Sequence, residues 1–165
     1  MIRLLGEYRG ALERLAGAYV RDPRDREDLV QEIAMALWQA IPGFRGEASE
    51  RTWLYRIAHN TAIRAAARLR RRGWREGESL EELASPAVTG AIGTEARLIE
   101  EQRRAWLLRA LRAMAPLDRQ VVSLYLEGLE QRAIGEITGL SEGAVATRLS
   151  RIRARLVRQK DAGVL

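Results

Sequence analysis

Residues 129–156 read LEQRAIGEITGLSEGAVATRLSRIRARL and carry the most informative pattern in the chain. Ile134 and Ile137 lie on one face of a short amphipathic segment. Gly139 then suits a left-handed helix C-cap, and Ser141 suits the N-cap of a longer helix. The apolar stripe of that longer helix consists of Val145, Leu149, Ile152 and Leu156. A short helix, a glycine turn and a capped second helix are typical of a helix-turn-helix, whose second helix normally enters the DNA major groove.

The segments before this motif also have helical periodicity. Apolar residues spaced three and four apart predict a first helix through Leu4, Leu5, Tyr8, Leu12, Leu15 and Tyr19. Asp22 as N-cap and Pro23 as first residue predict a second helix over 23–41, burying Leu29, Val30, Ile33, Leu37 and Ile41, and a third follows over about 50–72. Another helix begins near residue 95, with an inner face of Leu98, Ala105, Leu108, Leu111 and Ala115, and Pro116 opens one ending at Leu126.

Residues 73–94 contain several Gly and Ser residues and no sustained helical period, which predicts a flexible linker with at most a short helical turn near 79–83. We therefore predict an all-α fold of two small helical domains. Residues 1–72 would form a three-helix bundle, and residues 95–160 a four-helix domain containing the helix-turn-helix. Because the linker is expected to be flexible, we expect a bound partner to set the relative placement of the domains.

The composition favours a polyanionic partner and argues against an enzyme. The net charge is +6 and comes almost wholly from Arg, since Lys160 is the only lysine. With no Cys and one His, disulfides, thiol nucleophiles, His triads and ordinary zinc sites lack their side chains, so we expect no metal and no cofactor. The apolar runs fall far short of the ~20 residues of a membrane span, which predicts a cytoplasmic protein without membrane insertion.

Charge is segregated along the chain. Residues 51–75 hold eight Arg and no acid, residues 76–101 hold seven acids and only Arg97, and residues 141–160 hold six basic residues and only Glu142. Phe44, Trp53 and Tyr55 accompany the first basic segment, a combination that suits unstacked bases of single-stranded nucleic acid, although core packing is the stronger interpretation of Trp53. The outer face of the last helix is also basic and suits base edges and phosphates, with an ordinary solvated helix as the alternative.

Two stretches together resemble a known family. They are RDREDLVQEIAMALWQAIPGFRGEASERTWLYRIAHNTAI, residues 24–63, and the helix-turn-helix sequence quoted above. In this order, separated by a linker, they look like the extracytoplasmic-function (ECF) group of sigma factors of the sigma-70 family. The DLVQE run and the FRG and TWLYRIA runs are distinctive, whereas the second stretch alone would match many helix-turn-helix proteins.

The resemblance implies three functional surfaces. Core RNA polymerase would bind the second helix through Asp28, Leu29, Gln31, Glu32, Met35 and Trp38. The minus-ten element, flipped and melted, would contact Phe44, Arg45, Gly46, Ser49, Arg56, Asn60, Arg64 and Arg68. The minus-thirty-five duplex would contact Ala146, Thr147, Arg148, Ser150, Arg151, Arg153 and Arg155. The partners implied are core polymerase and promoter DNA, both duplex and melted, with an anti-sigma factor left open.

Some positions depart from the family's pattern, and two other functions remain open. The departures are Glu50, Ala133, Gly135, Ala144 and Ala146. Gly135 lies inside a short helix, so we expect it to cost up to ~1 kcal/mol relative to Ala and to loosen the motif. A plain helix-turn-helix regulator that does not bind polymerase is the chief alternative. An adaptor whose Arg-rich helices bind an acidic protein is the second, and an enzyme is the weakest interpretation because no nucleophile is paired with a base.

Overall fold

The N-terminal part of the chain is a bundle of three helices. The computed structural model describes residues 2–76 and 95–161. Helix α1 spans Ile2–Tyr19, α2 spans Pro23–Ala40 and α3 spans Glu50–Glu76, and a 3-10 turn, Ile41–Gly43, follows α2. The side chains at the centre of the bundle are at most 3% exposed and come from all three helices: Leu12, Leu15, Leu29, Ile33, Leu37, Leu54 and Ala58.

Side-chain caps fix where α2 and α3 begin. The Asp22 carboxylate accepts the backbone N–H groups of Arg24 and Asp25 at 2.8 and 3.3 Å, which confirms the predicted N-cap. The Ser49 hydroxyl accepts the backbone N–H of Thr52 at 3.1 Å in the same way. Ile41 was expected in the core but is 40% exposed, because α2 stops one residue earlier and tightens into the 3-10 turn.

The C-terminal part contains four helices and the predicted helix-turn-helix. Helix α4 spans Glu95–Ala113, α5 Pro116–Leu126, α6 Gln131–Thr138 and α7 Glu142–Asp161. Gly139 ends α6 with φ of 76°, so it provides the left-handed C-cap. The Ser141 hydroxyl accepts the backbone N–H of Ala144 at 3.2 Å and caps α7. The all-α prediction is confirmed, and among the described residues no helix is long and apolar enough to cross a bilayer.

The expectation that Gly135 loosens the motif is not supported by its surroundings. A Cβ atom built on Gly135 would lie 2.5 Å from the backbone carbonyl oxygen of Leu140. The turn between α6 and α7 therefore folds directly over Gly135, and the missing side chain is what permits this approach. Gly135 is buried, and the motif is tight at this point.

The predicted inner face of α4 is wrong over its first half. Leu98 is 42% exposed and Ala105 is exposed, as is Ala115 just beyond the helix, whereas Leu111 is 3% exposed. The side chains of residues 97–105 are all exposed, because that stretch of α4 lies away from the other helices that the structure describes. The helix also ends earlier than the periodicity suggests, at Ala113.

The two helical units pack against each other. Helix α1 contacts α4 and α5, and α3 contacts α5 and α6. One cluster of buried apolar residues includes Leu12 and Leu54 of the first unit and Val121 and Ile134 of the second. Because α3 continues to Glu76, the first four residues of the predicted linker are helical, while 77–94, including the predicted turn at 79–83, lie outside the described residues.

Candidate nucleic-acid interface

The outer face of α2 combines acidic groups with two large exposed apolar side chains. Met35 and Trp38 are 63% and 67% exposed. Asp28 and Gln31 are also exposed, and Glu32 is partly buried. Leu29 is different, because it is 2% exposed and packs in the core, so it supports this face from beneath and cannot touch a partner. Apolar side chains of this size on a surface commonly mark a protein-binding site.

A shallow cavity lies beside the loop between α2 and α3. Its volume is about 200 Å³, and its lining consists of Arg3, Leu4, Ile41, Phe44, Glu50 and Trp53. The Phe44 and Trp53 rings are 4.9 Å apart and tilted by 45°. Phe44 is 37% exposed, so part of its side chain is accessible to a base. Tyr55, which the sequence grouped with these two aromatics, is 1% exposed and is unavailable to a base.

Glu50, one of the departures from the family's pattern, closes one edge of this cavity. Its carboxylate accepts two hydrogen bonds at 3.1 Å from the Arg3 guanidinium, which also pairs with Glu7. The pair therefore places a donor and an acceptor beside the two aromatic rings. Next to it, Arg45 and Gly46 are exposed in the loop, and Gly46 has φ of 74°.

Four predicted DNA contacts on α3 recur every fourth residue and share one side of the helix. Asn60 and Arg64 are exposed. Arg68 is also exposed but forms an ion pair with Glu32 of α2 at 2.8 Å. This pair links the predicted polymerase-binding face to the predicted DNA-binding side of α3. Arg56 is partly buried, and its Nη2 donates to the backbone carbonyl of Glu136 on α6 at 3.2 Å.

Helix α7 presents most of its predicted reading residues to solvent. Those exposed are Thr147, Ser150, Arg151, Arg153 and Arg155, and Ala146 is partly buried. The Thr147 hydroxyl donates to the backbone carbonyl of Gly143 at 2.9 Å, so its acceptor capacity remains. Arg148 points the other way and forms a 2.5 Å ion pair with Asp118 of α5. In this arrangement Arg148 holds α7 against α5.

The contacts between the two units could not be seen in the sequence. Arg112 of α4 donates from Nε and Nη2 to the Gly17 carbonyl at 2.9 and 2.8 Å. Burial lowers the pKa of Arg112 to about 10, and the positive charges of Arg26, Arg21 and Arg119 add to this effect. Such contacts join a side chain to a backbone atom far away along the chain, so no local pattern records them.

Glu127, just after α5, accepts hydrogen bonds from three residues of the N-terminal bundle. Its carboxylate oxygens accept from Nε and Nη2 of Arg14, both at 2.7 Å, and from the Tyr55 hydroxyl at 3.1 Å. Its backbone carbonyl accepts from Arg51. Burial, reinforced by the Glu127 charge, raises the pKa of Tyr55 and keeps its hydroxyl a donor.

Comparison with known proteins identifies two family regions along the chain. The family model of Sigma-70 region 2 matches residues 4–75, and that of Sigma-70 region 4 matches residues 104–156. The ECF RNA polymerase sigma-E factor of Haemophilus influenzae is 31% identical over 159 residues, which cover 91% of this chain and 82% of that protein. This chain belongs to the ECF family of RNA polymerase sigma factors. The family assignment made from the two sequence motifs is confirmed.

Some relatives of this ECF sigma factor are longer proteins. SigG of Mycobacterium tuberculosis is 33% identical over 154 residues, which cover 80% of this chain but only 41% of SigG. The chain thus spans well under half of that relative.

A solved structure of CnrH in complex with the cytosolic domain of CnrY superposes with a TM-score of 0.68 at 25% identity, covering 97% of this chain and 86% of CnrH. RpoE of Bartonella quintana, solved with the anti-sigma factor NepR, shares the fold with a TM-score of 0.65 at 24% identity, over 96% and 93% of the two chains.

Proposed function

We propose that this ECF sigma factor binds core RNA polymerase through the outer face of α2. The observation that carries the proposal is the exposure of Met35 and Trp38 beside Asp28, on a helix whose opposite side fills the core. An aromatic anchor surrounded by polar groups is the usual composition of a binding hot spot. The region 2 match covers this helix entirely.

We further propose that the bound protein recognises and helps to melt promoter DNA. The minus-ten surface would comprise the loop with Phe44, Arg45 and Gly46, the Ser49 cap, and Asn60, Arg64 and Arg68 on α3, joined by Arg56 once α6 moves away. The minus-thirty-five surface would be the exposed side of α7, with Ala146, Thr147, Ser150, Arg151, Arg153 and Arg155. Arg148 would join it only if its pair with Asp118 opened. Neither surface requires catalytic groups, so the proposed role is binding and not catalysis.

An anti-sigma factor is the third partner that we propose. Two structural relatives were solved as complexes, one with the cytosolic domain of CnrY and one with the anti-sigma factor NepR. Met35 and Trp38 would be the natural target, because a protein that covers them removes the polymerase-binding anchor. Competition between such a protein and core polymerase for the purified sigma factor would test this partner.

Co-elution with sigma-free bacterial core polymerase tests the function itself. The informative variant is Trp38→Ala, which should weaken binding by roughly 30-fold or more if Trp38 is an anchor. Charge reversal at Glu32 is less clean, because it also breaks the ion pair with Arg68. Glu13→Arg is a suitable control, since Glu13 is exposed on α1 and its ion pair with Arg9 lies at the surface.

The outcomes separate the sigma factor from its chief alternative. Stoichiometric binding by the parent and by Glu13→Arg, with loss in Trp38→Ala, supports the proposal. If the parent does not bind core polymerase but shifts a duplex oligonucleotide, the protein is a helix-turn-helix regulator and α2 has another role.

A further inference from the structure

Three arginines of the N-terminal bundle bind oxygen atoms of the C-terminal domain. Arg14 pairs with the Glu127 carboxylate through two nitrogen atoms, each 2.7 Å from an oxygen. Arg51 donates to the Glu127 carbonyl, and Arg56 donates to the Glu136 carbonyl at 3.2 Å. The oxygens thus come from one carboxylate and two neutral backbone groups.

We call Arg14, Arg51 and Arg56 the arginine cluster. These contacts neutralise only part of its positive charge. Only Arg14 pairs with the Glu127 carboxylate in these contacts, whereas Arg51 and Arg56 donate to neutral carbonyl groups. The Glu13 charge also acts on Arg14, but α3 carries no acid between Arg51 and Arg75. The Nε of Arg56 is buried and has no hydrogen-bond partner. A backbone carbonyl offers a guanidinium less stabilisation than a charged oxygen does, so the cluster as folded remains suited to an anion.

The geometry also fits a phosphate. A guanidinium donates two parallel hydrogen bonds to a carboxylate and to a phosphate with the same fork, so the oxygens of Glu127 occupy positions that phosphate oxygens could take. The Tyr55 hydroxyl, 3.1 Å from the carboxylate, adds a third donor. Glu127 is held closely, with its side chain only 13% exposed, while Arg14 is 58% exposed and reachable from solvent.

We propose that Arg14 and Arg51, which both contact Glu127, form a phosphate-binding site for a nucleic-acid strand, and that Glu127 occupies this site while the two domains are packed together. Arg56, held by the Glu136 carbonyl, would extend the site along α3. Arg56 was assigned to minus-ten DNA by resemblance, whereas Arg14 and Arg51 extend that surface onto α1 and the start of α3. The C-terminal domain and the nucleic-acid backbone then compete for the same guanidinium groups. The site rests on the proposed function only in taking its anion to be nucleic acid.

If Glu127 and a nucleic-acid strand compete for the same arginines, weakening the contact of Glu127 should strengthen the binding of nucleic acid. Glu127→Gln keeps the shape of the side chain but removes its charge, so the packed arrangement loses its charge-assisted pair. When a larger fraction of molecules has the site open, the apparent affinity rises in proportion. We expect Glu127→Gln to bind a labelled 20-nucleotide single-stranded DNA on the order of tenfold more tightly than the parent, measured by fluorescence anisotropy.

Two further variants make this measurement specific. Glu130→Gln removes the same charge three residues away, where the side chain is exposed, and should change the affinity less than about twofold because only general repulsion is altered. Arg14→Ala combined with Glu127→Gln should lose the gain, since the guanidinium freed by Glu127 is absent. Urea unfolding of each variant at the same ionic strength shows whether the domains stay folded.

The results decide the matter in either direction. A gain in Glu127→Gln that Glu130→Gln lacks and the double variant abolishes supports the site. Equal affinities in Glu127→Gln and Glu130→Gln overturn it, and so does a gain that survives removal of Arg14. Co-elution with core polymerase is a separate readout, so a failure of the proposed function would leave the competition result standing.

Discussion

Gly135 occupies a position where the helix propensity of a residue and its packing make opposite demands. Propensity alone predicts that Ala would stabilise α6 by up to ~1 kcal/mol. The Leu140 carbonyl oxygen, however, would lie 2.5 Å from the new Cβ, and backbone cannot move aside as a flexible side chain can. We therefore expect Gly135→Ala to lower the free energy of unfolding by about 1–3 kcal/mol in urea titrations.

The control for this prediction is Gly143, an exposed glycine in the first turn of α7. A Cβ there would meet no atom within 4 Å. Gly143→Ala should leave the stability unchanged or raise it by up to ~1 kcal/mol. If both variants were equally stable, the close approach of Leu140 to Gly135 would not constrain the motif.

His59 is the second residue whose environment determines a measurable property. It is fully buried, its Nδ1 lies 3.1 Å from the Tyr19 hydroxyl, and its Nε2 has no partner. Burial lowers the pKa of His59 from 6.5 to about 3. The folded protein therefore keeps this imidazole neutral at pH values where the unfolded chain protonates it.

The pH dependence of stability follows from this difference. Between the two pKa values the unfolded state binds one more proton, so stability is lost as the pH falls below about 6.5. From pH 7 to pH 5 the parent should lose about 2 kcal/mol of unfolding free energy through His59 alone. His59→Gln, although less stable at pH 7, should lack this component. An identical loss in both proteins would show that other groups cause it.

At the residue scale, the sequence could predict which face of a helix a side chain occupies but not its distant partners. Asp22, Ser141 and Gly139 were predictable because their caps involve residues two to four positions away. The pairing of Arg148 with Asp118 was not, since a basic helix face has the same sequence pattern whether its arginines meet solvent, DNA or a carboxylate. The sequence pattern identified the polar face of α7 correctly, but it could not show that Arg148 on that face meets a carboxylate of α5.

Among the helices, the C-terminal end of α4 is held by an arginine of α5, the next helix. Arg119 donates from Nε to the Leu111 carbonyl at 2.9 Å, and from Nη2 to the carbonyls of Arg112 and Met114 at 2.6 and 3.1 Å. Its guanidinium carbon also lies 5.2 Å from the centre of the Tyr19 ring. The last carbonyls of a helix lack the regular partners of its interior, and Arg119 supplies donors to two of them, Leu111 and Arg112, and to the Met114 carbonyl just beyond the helix.

We expect Arg119→Lys to destabilise the protein by about 2 kcal/mol, because one ammonium group cannot span three carbonyls and loses the planar contact with Tyr19. The midpoint of urea unfolding measures this loss. Arg109→Lys, on an exposed position of α4, is the matched control and should stay within ~0.5 kcal/mol of the parent. Similar midpoints for the two variants would mean that Arg119 does not hold the end of α4.

The same helix shows why the presence of a helix was predictable and its burial was not. Pro116 opens the next helix, and propensity confines α4 to the residues before it. The periodicity of Leu98 and Ala105 predicted burial, yet burial requires another element at the right distance, and the first half of α4 has none among the described residues. Amphipathic spacing therefore predicted the helix correctly. It predicted the buried residues correctly only in the part of α4 that packs against α1.

At the scale of the whole molecule, the packing of the two domains is the feature that sequence reasoning missed. The hydrogen bonds cited for this interface link residues 72 to 113 positions apart, and most pair a charged side chain with a backbone carbonyl or a carboxylate. Pairs of this kind leave no periodic signal, whereas the apolar stripes that build each domain do. Two domains could thus be predicted, but their contact could not.

The contact between α1 and α4 offers a test of this packing that is independent of Glu127. A Cβ on Gly17 would lie 3.6 Å from Leu108 of α4, which leaves room for a methyl group but not for a longer side chain. Gly17→Leu should therefore separate the domains without unfolding either one, and the radius of gyration from small-angle X-ray scattering should rise by several ångströms. Gly17→Ala should scatter like the parent.

Gly6→Leu is the second control, because Gly6 lies on the same helix with nothing within 4 Å of its Cβ position. It adds the same side chain outside the interface and should leave the radius of gyration unchanged. If Gly17→Leu also scatters like the parent while its helices remain folded by circular dichroism, then α4 does not hold α1 in solution. The Arg112 contact with the Gly17 carbonyl would then be too weak to keep the domains together by itself.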